Sequence, residues 1–199
     1  MTAPDDEYKT ISEQQTGEGY YSEKRSRFLA FAHHVDTADD ALRLVALYKK
    51  KYFDARHVCW AYMIGAERTQ YRANDDGEPS GTAGKPILGQ INSHCLTNIF
   101  VAVVRYFGGV KLGTSGLIVA YRTAANDAID HAVIETRLLE ETITYSFTYV
   151  AMNDVMRVVK ELHPRIVSQH FDTTCQITLA IRRSLAPTLR QHLANIAFK

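Results

Sequence analysis

Long apolar stretches, secretory features and paired cysteines are all missing from this sequence of 199 residues. Its apolar runs are short, as in residues 99–104, and fall far below the roughly 20 residues that span a bilayer. The acidic N-terminus has no apolar core of the kind found in secretory signals. Cys59, Cys95 and Cys175 form no CxxC pair, which argues against disulfides and a structural zinc site. We therefore expect a cytoplasmic protein that makes no contact with a membrane.

Excess charge and known catalytic motifs are missing as well. The net charge of +1 argues against a uniformly basic nucleic-acid binder, although it does not describe local patches. The sequence has no GxSxG, HExxH or HxE…CxxC motif, so no residues stand out as a catalytic set. We expect no cofactor, no bound metal and no binding to DNA.

The sequence does contain an unusual stretch at residues 74–86, which we call the first glycine-rich segment. It holds three carboxylates, three glycines, two prolines and one lysine, and no apolar residue larger than alanine. This composition argues against core packing and regular structure, because glycine and proline serve special backbone positions. A long loop without apolar anchors is typical of a working surface. The residues expected to matter in it are Asp75, Asp76, Gly77, Glu78, Gly81, Thr82 and Gly84.

Two chemical interpretations of the first glycine-rich segment are considered. A P-loop requires a glycine five residues before the Gly84-Lys85 pair and a serine or threonine after it, but Pro79 and Pro86 occupy those places. A P-loop nucleotide site is therefore not expected. The three carboxylates could hold Mg²⁺ through their oxygens, but Asp-Asp-Gly is also a turn in which aspartates bind local backbone groups. The turn is the favoured interpretation.

A second glycine-rich segment, residues 107–116, lies between an apolar run and a helical pattern. A strand-to-helix junction presents free backbone N–H groups and the positive end of a helix dipole, which suits an anion. The glycines could equally make only a tight turn, with Thr114 or Ser115 as an ordinary N-cap. For a phosphate or RNA site the candidate residues are Lys85, Arg105, Gly108, Gly109, Lys111, Gly113, Thr114, Ser115 and Gly116.

Arg56 and His57 are further candidates. His57 and Cys59 alternate along a predicted strand, so both side chains would face one side of it. A Cys–His pair is one interpretation, and a packed histidine beside a buried cysteine is the more ordinary one. Basic residues also lie around the second glycine-rich segment, and no acidic residue follows Asp172. Together these features allow a locally positive surface that suits phosphate groups.

The pattern of apolar residues predicts an α+β protein with two domains. Residues 1–19 are polar and are expected to fray. Glycine is absent after Gly116, and residues 142–194 follow a strand–helix–strand–strand–helix order that resembles a split βαβ unit. The predicted domains are residues 20–136 and 140–199. The predicted strands are residues 28–34, 57–64, 71–73, 99–107, 142–149, 165–171 and 174–181, and the predicted helices start at residues 37, 86, 117, 153 and 186.

Four motifs in order resemble the YigZ/IMPACT family. They are Lys24-x-Ser26-Arg27-Phe28, Asp54-Ala55-Arg56-His57-x-Cys59-x-Ala61-Tyr62, the whole of Asn74–Leu88, and Val103–Leu117 followed by Ala120-Tyr121. The resemblance spans most of residues 20–130 and is specific. Residues 140–199 resemble the small C-terminal domain of bacterial members, on their order of elements.

The resemblance implies a first domain like domain 2 of ribosomal protein S5, and a ferredoxin-like second domain similar to the last domain of elongation factor G. Eukaryotic relatives regulate translation by interfering with activation of an amino-acid-starvation kinase. They do so mainly through a different domain, so that partner is not expected to carry over. The resemblance brings no catalytic residues with it, and a shared fold alone does not define a function.

Three functions remain open from the sequence. The first is a non-enzymatic, translation-associated protein that binds RNA or the ribosome through the glycine-rich, locally basic surface, with a protein partner in translation control as an addition. The second is an enzyme for a small phosphorylated or anionic ligand, with Asp75, Asp76, Glu78 and His57 as acid–base or Mg²⁺-binding groups. The third is a protein-interaction module that presents the first glycine-rich segment.

Overall fold

The computed structural model describes residues 6–172 and 174–197, which fall into two compact α+β units. The first unit is Lys9–Arg137, and the second combines residues 138–197 with residues 6–8. The α+β class and the division into two units agree with the prediction made from the sequence. The predicted domain limits of 20–136 and 140–199 differ from these unit limits mainly at the N-terminal end.

The first unit is built on a five-stranded antiparallel sheet in the order β2–β3–β6–β4–β5. Its central strand β6 is buried along most of its length, as its continuous apolar run predicts. The elements are β1 Glu7–Ile11, β2 Gly17–Glu23, β3 Ser26–His34, α1 Ala38–Lys51, β4 His57–Ile64, β5 Gln70–Asn74, α2 Gly84–Ser93, β6 Ile99–Tyr106, α3 Gly113–Asp130 and β7 Ile134–Leu138.

Both faces of this sheet are covered by helices. Alternate residues of β6 point to opposite faces, with Val101 and Val103 in one apolar cluster and Phe100 and Val104 in the other. Helices α2 and α3 contribute to the first cluster and α1 to the second. The C-terminal end of β6 and the start of β4 lie near the beginning of α3, since Arg105, His57 and Gly113 line one cavity.

Helix α1 begins as its sequence predicts. The Thr37 hydroxyl accepts a hydrogen bond from the backbone N–H of Asp40 at 3.1 Å. The same hydroxyl donates to the Asp40 carboxylate at 2.6 Å. A threonine cap with an acid three residues later thus satisfies one of the free N–H groups of the first turn.

The expectation that residues 1–19 fray was wrong for residues 6–19. Strands β1 and β2 lie there, and residues 1–5 are outside the described residues. Strand β2 packs on α3 at two glycines, where an added Cβ would lie 2.2 Å from the Ala128 carbonyl oxygen at Gly17 and 2.3 Å from the Ala128 nitrogen at Gly19. Because glycine has no Cβ, these two residues allow this close backbone contact.

The second unit has the predicted strand–helix–strand–strand–helix order. Its sheet is antiparallel in the order β8–β10–β9, so the last strand lies between the first two, as in a split βαβ unit. Both helices contribute to one core with Ile143, Val155, Leu179 and Leu189. The elements are β8 Glu140–Phe147, α4 Met152–Leu162, β9 Arg165–His170, β10 Cys175–Arg182 and α5 Ala186–Ala197. Among the described helices of both units, none is long and apolar enough to cross a bilayer.

Candidate functional site

The two glycine-rich segments meet in one cavity of about 440 Å³. Glu78 and Pro79 of the first segment line it together with Phe107 and residues 111–114 of the second. Arg56, His57, Arg105 and Leu117 line the rest of it. His57 begins β4 and lies opposite Arg105 in the β4–β6 pair. The sequence alone did not show that these segments meet, since their contact depends on that non-local strand register.

A buried ion pair lies in the wall of the cavity. Glu78 Oε1 accepts hydrogen bonds from Arg105 Nη1 at 2.5 Å and from the Tyr121 hydroxyl at 2.8 Å. The Glu78 side chain is 3% exposed and that of Arg105 is 7% exposed. The Arg105 guanidinium carbon also lies 5.6 Å from the ring centroids of Phe28 and Phe107. Arg105, predicted as a phosphate ligand, therefore has its charge balanced inside the protein.

His57 is held in one orientation in the same wall. Its Nδ1 donates to the Asp76 carbonyl oxygen at 2.7 Å, because a carbonyl can only accept. In the neutral ring this contact leaves Nε2 without a proton, at 3.9 Å from Glu78 Oε1. His57 lines the cavity and its side chain is 15% exposed.

The aspartates of the first glycine-rich segment organise the loop itself. Asp76 accepts from the backbone N–H of Val58 at 2.8 Å and from Lys49 Nζ at 2.5 Å. Asp75 accepts from the backbone N–H groups of Gly81 and Gly84 at 2.8 Å and of Ala83 at 3.0 Å. It supplies the cap that Ala83, the N-cap residue of α2, lacks. These bonds support the turn interpretation, because both carboxylates accept hydrogen bonds from the loop and its neighbours.

The rest of the segment has equally local roles. Asp76 and Gly77 have positive φ angles of 43° and 86°, which is where aspartate and glycine are tolerated. The Thr82 hydroxyl donates to the Pro79 carbonyl oxygen at 2.6 Å. Within the described residues, no group of three His, Cys, Asp or Glu side chains is arranged to hold a metal ion.

We expect the Asp75→Asn variant to lower the free energy of unfolding by about 1 kcal/mol at neutral pH, because an amide cannot replace every accepted bond. Burial alone would raise the pKa of Asp75, but the N–H groups of Gly81, Gly84 and Ala83 hold that pKa below its usual value. A lowered pKa stabilises the fold above the unfolded value of about 3.9, and this gain is lost as the pH falls through the folded value. The difference between wild type and variant should shrink at acid pH.

Urea unfolding followed by the fluorescence of Trp60, the single tryptophan, measures this in the first unit. The matched control is Asp39→Asn, an exposed aspartate in the first turn of α1, with an expected change within about 0.5 kcal/mol. Equal losses in both variants, or a difference that stays constant down to the lowest pH, would contradict the capping role.

Cys59 is a buried, packed thiol beside this site. Its thiol contacts the Asp75 carbonyl oxygen at 3.0 Å and the Tyr121 hydroxyl at 3.3 Å. Burial raises the pKa of Cys59, which keeps it a thiol. Burial, followed by the neighbouring Cys59 and Glu78, also raises the pKa of Tyr121. The Cys–His interpretation therefore gives way to a packed cysteine.

The second glycine-rich segment leads into α3 earlier than predicted. The helix begins at Gly113, and its N-cap Leu112 makes no side-chain capping bond. Thr114 and Ser115 lie inside the first turn, so neither is the N-cap residue that the tight-turn alternative expected. Because the cap residue offers no side-chain acceptor, the first-turn N–H groups are available to an anion. Gly113 and Thr114 both line the cavity.

The backbone structure requires or favours glycine at two positions of this segment. An added Cβ at Gly108 would lie 2.1 Å from the backbone carbon of Arg25, so only glycine fits there. The Gly108 N–H donates to the Ser26 hydroxyl at 3.2 Å. Gly109 has a φ of +87°, in the left-handed region that favours glycine.

The basic candidates are divided among three places. Arg56 and Lys111 are exposed, line the cavity and form no ion pair with the described residues. Lys85 lines a different cavity, between α2 and α3, together with Arg122. Ser115 and Gly116 line a third, beside Lys24. The structure thus brings Arg56, Arg105 and Lys111 together, but not Lys85 or Ser115 and Gly116.

Sequence reasoning gave no role in the site to Phe107, Pro79 or Tyr121. Tyr121 belongs to the last of the four family motifs, which assigns it no role. A signal was available, because a tyrosine on a buried face needs a partner for its hydroxyl. Glu78, Arg105 and Cys59 lie in the four family motifs. Only the fold shows that the Tyr121 hydroxyl contacts Glu78 and Cys59.

Comparison with known proteins gives consistent matches along the chain. A family model described as the Impact N-terminal domain matches residues 24–129. The IMPACT family member YvyE of Bacillus subtilis is 36% identical over 154 residues, or 77% of this chain and 70% of that protein. YigZ of Escherichia coli, also an IMPACT family member, is 30% identical over 176 residues, or 87% and 86%. A crystal structure described as that of a hypothetical protein superposes with a TM-score of 0.71 at 27% sequence identity. The match covers 96% of this chain and 92% of the chain in that structure.

Proposed function

The chain belongs to the IMPACT family, and on that basis we propose that it is a non-enzymatic, translation-associated protein that binds RNA phosphates through the cavity. The link to translation follows from the family resemblance, and the choice of ligand follows from the charges around the cavity. RNA or the ribosome is the proposed partner, in the cytoplasm.

One observation carries the proposal. Arg56 and Lys111, without ion pairs among the described residues, and the uncapped N-terminus of α3 all adjoin one cavity. The α3 N-terminus carries a partial positive charge and free N–H donors. The buried pair of Glu78 and Arg105 is neutral overall, so it does not cancel this positive field.

Each residue has a defined part in holding a phosphate. The backbone N–H groups at the start of α3 donate to its oxygens, as does the Thr114 hydroxyl. Arg56 can donate two parallel hydrogen bonds, and Lys111 acts as a point charge. Arg105 acts indirectly, by fixing Glu78 in place. Lys85 and Arg122 would contact a phosphate outside the cavity.

The experiment that tests this is a titration of the isotope-labelled protein with a short single-stranded RNA phosphorylated at both ends, followed by amide NMR. We expect the amide signals of Gly113, Thr114 and Ser115 to shift. A peptide nucleic acid of the same base sequence, which has no phosphates, is the matched control and should leave them unmoved. Shifts confined to other surfaces, or equal shifts with the control, would overturn the proposal.

A second function is favoured by the orientation of His57. Its Nε2 is left as an acceptor in the neutral ring, as a general base toward a small phosphorylated ligand would need. Asp75 and Asp76 are engaged in the loop, so this enzyme would not use them to hold Mg²⁺. Hydrolysis of a phosphomonoester by the purified protein, abolished in His57→Gln, would select this function over the first.

A further inference from the structure

The side chains that line the cavity differ in solvent exposure. Glu78, Arg105 and His57 line it and are largely buried, with side chains 3%, 7% and 15% exposed. Lys111 and Phe107 line it and are exposed. Buried lining groups form a floor, and exposed ones form an entrance.

The floor is fixed by short contacts. The Arg105 and Tyr121 bonds to Glu78 join β6, α3 and the first glycine-rich segment behind the cavity. A polymer strand therefore cannot run through the floor. Arg105 Nε is buried without a hydrogen-bond partner in the described structure, so the floor also keeps an unsatisfied donor.

The size and lining suit one nucleotide. A volume of about 440 Å³ lies within the range of small-ligand pockets. The Phe107 ring is 44% exposed and lines the entrance, with the Arg105 guanidinium behind it. An exposed aromatic ring of this kind can stack on a base of any sequence.

The charges suit a terminal phosphate better than an internal one. A phosphodiester carries one negative charge, whereas a phosphomonoester carries about −1.5 to −2 at neutral pH. Arg56 and Lys111 supply two positive charges beside the α3 N-terminus. The buried floor prevents a strand from passing through the cavity, and the charge balance favours the more highly charged end.

We propose that the cavity binds the phosphorylated terminal nucleotide of an RNA chain, with the terminal phosphate at Arg56, Lys111 and the start of α3 and the base against Phe107. This inference rests on the proposed function, since it names which part of the RNA enters the site. The chemistry recognised is a terminal phosphomonoester, which either the 5′ or the 3′ end can carry.

The test compares four RNAs of one sequence by fluorescence anisotropy: 5′-phosphorylated, 3′-phosphorylated, hydroxyl-ended and circular. We expect one phosphorylated form to bind about tenfold or more tightly than the hydroxyl-ended and circular forms, equivalent to one strong charged contact. Lys111→Gln should bring this ratio close to one, and Lys50→Gln, a matched change on α1, should leave it unchanged. Phe107→Ala should weaken all linear forms without changing the ratio.

Equal affinities for all four RNAs would overturn the inference and leave the proposed RNA binding intact. A free mononucleotide that competes as well as the phosphorylated oligonucleotide would also overturn it, because the ligand would then be a small molecule. Absence of RNA binding even at low salt would overturn both the inference and the proposed function.

Discussion

Replacing Glu78 with alanine is expected to lower the free energy of unfolding of the first unit by about 3–5 kcal/mol. The change leaves the Arg105 guanidinium buried without its counter-ion, and the Tyr121 hydroxyl without its acceptor. A buried charge without a partner destabilises the fold far more than the intact ion pair stabilises it. The expected loss of stability therefore reports the burial of an unpaired Arg105 and not the strength of its bond to Glu78.

The double variant Glu78→Gln/Arg105→Met separates these effects. It removes both charges and keeps an acceptor for Tyr121, so we expect it to be more stable than Glu78→Ala. The matched control is Glu13→Ala, which breaks a pair with Arg137 in which Glu13 is 60% exposed. That loss should stay within about 1 kcal/mol.

Urea unfolding monitored by Trp60 measures all three variants, because Trp60 is buried in the first unit. A loss in Glu78→Ala no larger than that in Glu13→Ala would contradict the buried pair. So would a double variant that is less stable than the single one.

Reversing both free charges of the cavity, in Arg56→Glu/Lys111→Glu, is expected to weaken binding of single-stranded RNA by about 100-fold at low salt. The phosphate loses its contacts with two cationic side chains, each contributing about 1.5 kcal/mol. Both residues are exposed and unpaired among the described residues, so the fold should be retained. Arg105→Glu is unsuitable for this binding test, because it places a second carboxylate beside the buried Glu78 and would destabilise the fold.

Lys50→Glu/Lys160→Glu is the matched control for this charge reversal. It changes the net charge equally, at two exposed helical lysines that do not line the cavity. We expect it to weaken binding only slightly, through general electrostatic repulsion. Unchanged Trp60 fluorescence in both variants would show that the first unit remains folded. Equal losses of affinity in the two variants would mean that the cavity is not the binding surface.

Local signals in the sequence predicted most of the regular structure. Strand β4 has the predicted limits of residues 57–64, and the Thr37 cap is confirmed. Strand β2 is not among the predicted strands, because glycine is disfavoured in strands and only the contact of Gly17 and Gly19 with α3 accounts for their place in the sheet.

The site was less predictable, because its residues come together through the fold. The sequence shows that Arg105 is charged but not that it is buried against Glu78. Likewise, Asp75 reads as a ligand or a turn residue until its three backbone partners are seen. Composition located both glycine-rich segments, whereas their meeting depends on the register of β4 and β6 and on the packing of α3.

The most direct test of phosphate contact in the cavity is the salt dependence of RNA affinity, compared between wild type and Arg56→Glu/Lys111→Glu. For single-stranded RNA each phosphate contact adds about 0.7 to the slope of log affinity against log salt. Because Arg56 and Lys111 hold one phosphate, the proposal predicts that the slope of the wild type becomes shallower by about 0.7 or more in the variant. Equal slopes, or no RNA affinity in the wild type even at low salt, would contradict it.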